Sequence, residues 1–222
     1  MRRRSLRLRL LVLGALLLAV VAGLLAVGAP ARLEAVVRSY LAEERVRRWR
    51  AELLFAAEES GVDPYLLAAL MLRESSGRVD ARSPKGALGL FQLRPITYEW
   101  RARELGLPPP TEEELLRDGL LNARLGANNL RWLLDTFDGD AERALVAYNL
   151  GTRRLKELCD AAGGWEAWRV ARLEAGDSNL LAFAARILAM QEQLRAKGVL
   201  AAEEGGGPAD EPPGGQGPGS TK

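Results

Sequence analysis

From Leu10 to Ala31 the chain carries no charge, and beyond it apolar residues recur three and four apart almost to the end. The period of three and four is that of an amphipathic helix. Val36, Val37, Tyr40, Leu41, Val46, Trp49, Leu53 and Leu54 follow it, so residues 32–59 are predicted to be helical, with Gly61 as the stop. Asp63 and Pro64 then restart a helix, as N-cap and first helical residue. Tyr65, Leu66, Leu67, Leu70, Met71 and Leu72 cover all sides of that helix, which predicts burial at the centre of the domain. Further helices are expected at 95–105, at 115–137 with a break near Gly119, and at 141–148, 152–159, 165–173 and 180–197. Thr111 with Glu114 reads as a capping box, Asp140 as a cap, and Asp177 or Ser178 as the cap of the last helix, which Gly198 ends.

No long period-two stretch and no internal repeat is present. The expected fold class is therefore mainly α, with at most a small sheet near the glycine turn around Gly86 and Gly89. Four segments follow: 1–31, a signal anchor or signal peptide; 32–53, a juxtamembrane stretch or first helix; 54–200, the folded domain; and 201–222, a Gly/Pro-rich tail with nothing to bury.

Five arginines precede the uncharged run, which is long enough to span a bilayer core of roughly 20 apolar residues. The arginines should stay on the cytoplasmic side, with the body outside. A cleaved signal peptide is the rival, although its apolar region is normally about 7–15 residues. Length favours an uncleaved anchor at residues 10–31, and either choice puts the domain outside the cytoplasmic membrane.

Composition removes several chemistries. The chain of 222 residues has no histidine, which excludes histidine triads, histidine bases and histidine metal ligands. Its one cysteine, Cys159, cannot form an internal disulfide and lies in an apolar helical setting, so a buried thiol is the plain reading. Of 31 basic residues, the five N-terminal arginines belong to the export segment, leaving 26 against 29 acidic residues. With no cationic stripe interleaved with aromatics, nucleic acid is not an expected partner. No metal and no cofactor is expected.

Three short stretches could carry chemistry. Glu74 ends the buried helix, where the negative end of the helix dipole and partial burial both raise a carboxyl pKa, as a general acid requires. The plain alternative is a surface glutamate paired with Arg73 or Arg78. Gly86-Ala-Leu-Gly89-Leu-Phe-Gln92 puts a glutamine amide among apolar neighbours, beside glycines that let a ligand approach the backbone. Ala147-Tyr148-Asn149-Leu150-Gly151 could be a helix C-cap or a polar and aromatic surface for a sugar ring.

Taken together, and in this order and spacing, these residues resemble the lytic transglycosylases of the soluble type, which have a lysozyme-like fold. The matching features are Glu74-Ser75, the run Asp80-Ala-Arg-Ser-Pro-Lys-Gly-Ala-Leu-Gly-Leu-Phe-Gln-Leu-Arg-Pro95, and Ala147-Tyr148-Asn149-x-Gly151; the likeness runs from about Leu54 to about Leu188. The resemblance implies that 54–200 is a lysozyme-like transglycosylase domain, a glycan lyase acting on the MurNAc-β-1,4-GlcNAc bond of peptidoglycan. It implies that Glu74 is the sole acid/base, that Ser75, Gly89, Phe91 and Gln92 belong to the substrate-binding surface, and that Tyr148 and Asn149 line the site. It further implies a 1,6-anhydro-MurNAc product. The expected partners are peptidoglycan glycan strands and, through the N-terminal helix, the membrane.

Two positions depart from the family's pattern: Phe91 replaces a common Met, and Phe183 stands where a tyrosine is usual in the last helix. Two other readings remain open. A lysozyme-type hydrolase on the same fold would need a second acid, for which Asp80 and Glu99 are the candidates. A non-catalytic peptidoglycan-binding protein would fit the missing tyrosine.

Overall fold

The structure, a computed structural model, describes Leu13 and residues 31–201. The expected anchor and tail, at 10–31 and 201–222, lie outside the described residues apart from Leu13, Ala31 and Ala201. Among the described residues no helix is long and apolar enough to cross a membrane.

The helical reading holds. Residues 31–48 form α1. It is followed by α2 (Arg50–Ser60), α3 (Pro64–Ser75), α4 (Pro95–Glu104), α5 (Glu112–Arg117), α6 (Gly119–Thr136), α7 (Ala141–Leu150), α8 (Thr152–Ala162), α9 (Trp165–Glu174) and α10 (Asn179–Ala196). The small sheet allowed by the sequence shrinks to two isolated antiparallel bridges, Arg82 with Leu88 and Leu88 with Leu93.

Most boundaries follow their local signals. Gly61 closes α2 in the left-handed conformation, and the Asp63 side chain accepts the Leu66 N–H at 2.9 Å to open α3. Thr111 and Glu114 form the full capping box, and Asp140 caps α7. Asp118 ends α5 and caps α6 through the Leu121 N–H, which is the physical form of the break near Gly119. Two expectations need correction. The first helical run is interrupted at Trp49. Ser178 occupies the N-cap position of α10 without a side-chain bond, and the Asp177 carboxylate pairs with Arg172 instead.

α3 is the hub. Every residue from Leu66 to Leu72 is buried. α2 and α10 pack against α3, α10 also covers α7, and α6 bridges α2 and α7. The core reaches back to Val46 and Leu53, both fully buried, so the segment before residue 54 contributes to the domain. α1 instead leaves Leu33, Val36, Val37, Tyr40 and Leu41 exposed.

Candidate active site

The last turn of α3 presents Glu74 at the domain surface, half-buried. Its helix ends abruptly because Ser76 and Gly77 both turn left-handed, at φ 56° and 72°. Ser75 is buried and its hydroxyl serves the backbone, donating to the Met71 carbonyl and accepting the Gly77 N–H at 3.1 Å. The indole of Trp49 donates to the Gly77 carbonyl at 2.9 Å and pins the turn from the other side. The candidate carboxyl therefore projects from a fixed helix end, and Ser75 is a brace for it with no free hydroxyl.

Both arginines that could neutralise Glu74 are engaged elsewhere. Arg73 stacks over the Phe183 ring at 5.2 Å, and Arg78 donates through Nε to the Ser75 carbonyl. Burial raises the Glu74 carboxyl to about 7, against a smaller downward pull from the Arg73 charge. No neighbouring carboxylate contributes to that shift. At neutral pH the group is thus divided between acid and base forms, as one side chain needs in order to give a proton and take one back.

The glycine turn follows α3 in the chain. Two mutual bonds between Leu88 and Leu93, each 3.0 Å, and the Gly89 N–H to the Ala81 carbonyl at 2.8 Å fold it tightly. Gln92 has a left-handed backbone at φ 48°, unusual outside glycine. Its amide nitrogen explains how that conformation is held: it donates to the carbonyls of Ala81 at 3.2 Å and Gly89 at 3.1 Å. Both donors are spent inside the turn, which leaves the carboxamide oxygen as the group available to a ligand.

Asn122 on α6, fully buried, anchors the turn to the core. Its carbonyl accepts the Phe91 N–H at 2.9 Å, and its amide donates to Leu88 and Leu115 carbonyls at 3.3 Å each. Gly89 permits this approach, because a Cβ there would sit 2.0 Å from Asn122 Nδ2. One helical turn later, Gly126 makes room for the Phe91 ring, whose Cγ would be 2.4 Å from an added Cβ. Phe91 is wholly buried, so its side chain shapes the wall from behind.

Tyr148, near the end of α7, completes the arrangement. Its hydroxyl donates to the Phe91 carbonyl at 2.7 Å. Burial raises the phenol pKa well above its usual value, and the Glu74 charge adds to the rise, which ties Tyr148 electrostatically to the carboxyl. Glu74, the turn and Tyr148 thus form one assembly. Asn149 is exposed at the same helix end. Asp80, the nearest second acid in sequence, is exposed in its turn.

Asn122, Gly126 and Trp49 were not singled out by the sequence. A polar Asn four residues before a Gly on an otherwise apolar helix face was the available signal. Cys159 is buried, and burial raises its thiol pKa, as a structural cysteine should behave.

The family model described as the transglycosylase SLT domain matches residues 53–170. A transglycosylase of Enterobacteria phage PRD1 is 36% identical over 110 residues, covering 48% of this chain and 36% of that protein. The membrane-bound lytic murein transglycosylase F of Cellvibrio japonicus is 32% identical over 146 residues, covering 60% of this chain and 28% of that one. The chain therefore spans about a third of the length of these relatives. Among solved structures, an inactive mutant of the lytic transglycosylase Slt from Pseudomonas aeruginosa aligns with TM-score 0.56 and 27% identity, over 66% of this chain and 24% of that one. The 70 kDa soluble lytic transglycosylase of Escherichia coli aligns with TM-score 0.58 over 70% of this chain and 26% of that one; at 20% identity it supports the fold alone. The helical domain built around α3, with its glycine turn and its Tyr148 corner, belongs to the transglycosylase SLT domain family.

Proposed function

We propose that this protein is a peptidoglycan lytic transglycosylase in which Glu74 is the only acid/base. The observation that carries the reading is the Glu74 carboxyl itself. It is half-buried at a fixed helix end, unpaired with either neighbouring arginine, and raised to about 7 without help from a second carboxylate. The relatives' names give the reaction class and the substrate.

In this mechanism protonated Glu74 gives its proton to the glycosidic oxygen as the bond between MurNAc C1 and that oxygen breaks. The N-acetyl oxygen of the muramic residue supports the positive charge that develops at C1. Glu74, now a carboxylate, takes the proton of the muramic C6 hydroxyl, and that oxygen bonds to C1. The product is a 1,6-anhydro ring, with no water consumed. One carboxyl suffices because the substrate supplies both the charge stabilisation and the nucleophile. The Gln92 carboxamide oxygen and the Tyr148 surface hold the sugars, while Ser75, Gly89 and Phe91 maintain the wall. A site on peptidoglycan puts the domain outside the cytoplasmic membrane, and the uncharged 10–31 segment is the anchor in this reading.

Digestion of purified peptidoglycan in isotope-labelled water tests the reaction type. Anhydro-muropeptides without label are expected. Labelled reducing ends, one water heavier, would identify a lysozyme-type hydrolase.

A further inference from the structure

α1 meets the domain through one side and leaves its larger apolar residues on the other. Ala42 packs against the core and Val46 is fully buried. Lys197, just past α10, donates to the Ser39 hydroxyl at 2.7 Å and to the Glu43 carboxylate. Leu33, Val36, Val37, Tyr40 and Leu41 lie away from this contact and are 44–66% exposed. A contiguous apolar patch on a folded domain commonly marks an interaction surface.

The two sides separate as positions of a seven-residue repeat. With Val37 at a, Leu33 and Tyr40 take d, Leu41 takes e and Val36 takes g. Ser39 and Val46 take c and Ala42 takes f, on the back of the helix. A second helix laid on the a/d seam is therefore clear of the contact between α1 and its own domain.

The seam complements itself in a parallel pair. Each a residue enters a hole of four residues on the facing strand. For Val37 those are Leu33, Val36, Val37 and Tyr40 of the second copy, all apolar and all exposed in the single chain. Tyr40 enters a hole of Val37, Tyr40, Leu41 and Glu44, which sets its hydroxyl beside a carboxylate. Glu44 and Arg47 take the next a and d positions. They form a 2.6 Å ion pair within the helix, and across the seam each meets the opposite charge. A lipid surface accepts the apolar residues but offers no counterpart to Glu44 and Arg47 on the same face.

We infer that α1 pairs in parallel with α1 of a second copy, through Leu33, Val37 and Tyr40, and so holds two of these domains side by side. The parallel direction rests on the reading of 10–31 as an anchor, because two chains leaving one membrane run the same way. From Leu33 to Glu44 the seam is about 16 Å long. That is short of a self-standing coiled coil, so confinement of both copies in one bilayer supplies the effective concentration that the pairing needs.

The test uses the 222-residue chain in phosphatidylcholine vesicles, with the buried Cys159 as a silent background. Under copper–phenanthroline oxidation, Val37→Cys should form a disulfide-linked dimer about tenfold faster than Arg38→Cys, its exposed neighbour at b. Equal rates, or dimers from neither, would overturn the inference. Leu33→Cys should likewise couple to itself; preferential coupling to Tyr40→Cys in a mixture would mean antiparallel strands and would overturn it too. Val37→Glu puts two like charges in the seam at an exposed position, so the fold is kept. Energy transfer between copies labelled at their C-termini should then fall to the level of random mixing, and unchanged transfer would count against the pairing. Quenching of a fluorophore at position 37 by brominated acyl chains, without cross-linking, would identify lipid as the occupant. Flotation with the vesicles scores the anchor separately. If the chain does not float, the anchor reading fails and the same cross-link comparison at high concentration in solution decides the pairing, with equal rates overturning it.

Discussion

The Tyr148 hydroxyl donates to the Phe91 carbonyl at 2.7 Å, joining α7 to the glycine turn at the residue whose N–H is already held by Asn122. Phe91 is thereby gripped on both sides of its Cα, at its N–H and at its carbonyl, from two different helices. Tyr148→Phe keeps the ring and removes only that bond. A loss of about 1–2 kcal/mol in stability is expected, with a larger relative fall in turnover because the turn that carries Gln92 is loosened. Urea denaturation and activity measured on the same preparation check this. Equal stability and full activity would show that the bond has no role.

Asn122→Ala should be among the most damaging substitutions outside the candidate site. It strands the Phe91 N–H and removes donors to Leu88 and Leu115 in a fully buried setting. A cost of about 2–4 kcal/mol is expected from unmatched buried groups. Hydrogen exchange should show the 81–93 turn opening before α3 does.

Gly89→Ala combines two penalties, a left-handed φ of 77° and a Cβ placed 2.0 Å from the Asn122 amide. Backbone strain alone costs about 1 kcal/mol, so a total above about 2 kcal/mol is expected once Asn122 is displaced. Gly61→Ala, where the φ is 69° and nothing lies within 4 Å, should cost only the first part. Thermal melts of the two variants separate steric from conformational loss.

The Glu74 carboxyl has a testable sign. Its value in the folded protein, about 7, lies above the ordinary 4.5, so between those values the folded state holds more of the proton. Stability contributed by this group is therefore present in acid and lost as pH rises through about 7. Glu74→Gln, which stays neutral, should be more stable than the native protein at pH 8 by about 1–3 kcal/mol, with the difference shrinking towards pH 4. Activity that needs the protonated form should fall on the alkaline side of the same midpoint.

The helices were legible because each carried its own punctuation, such as Asp63-Pro64 or the Thr111–Glu114 box, and because the apolar face of α3 wraps fully round. Glu74, Gln92 and Tyr148 were legible as types in a spacing. Asn122, Gly126 and Trp49 were not, because their importance comes from contacts across long sequence separations, such as the 31 residues between Phe91 and Asn122. For the same reason Ser75 read as a ligand contact, whereas its hydroxyl bonds the backbone two and four residues away.

Mass analysis of the muropeptides released from purified peptidoglycan by the 222-residue chain and by its Glu74→Gln variant decides whether Glu74 is the acid/base. Anhydro-muropeptides are expected from the native protein and none above background from the variant, which should remain folded and still bind glycan. Anhydro product at native rates from Glu74→Gln, or no anhydro product from the native chain, would contradict it.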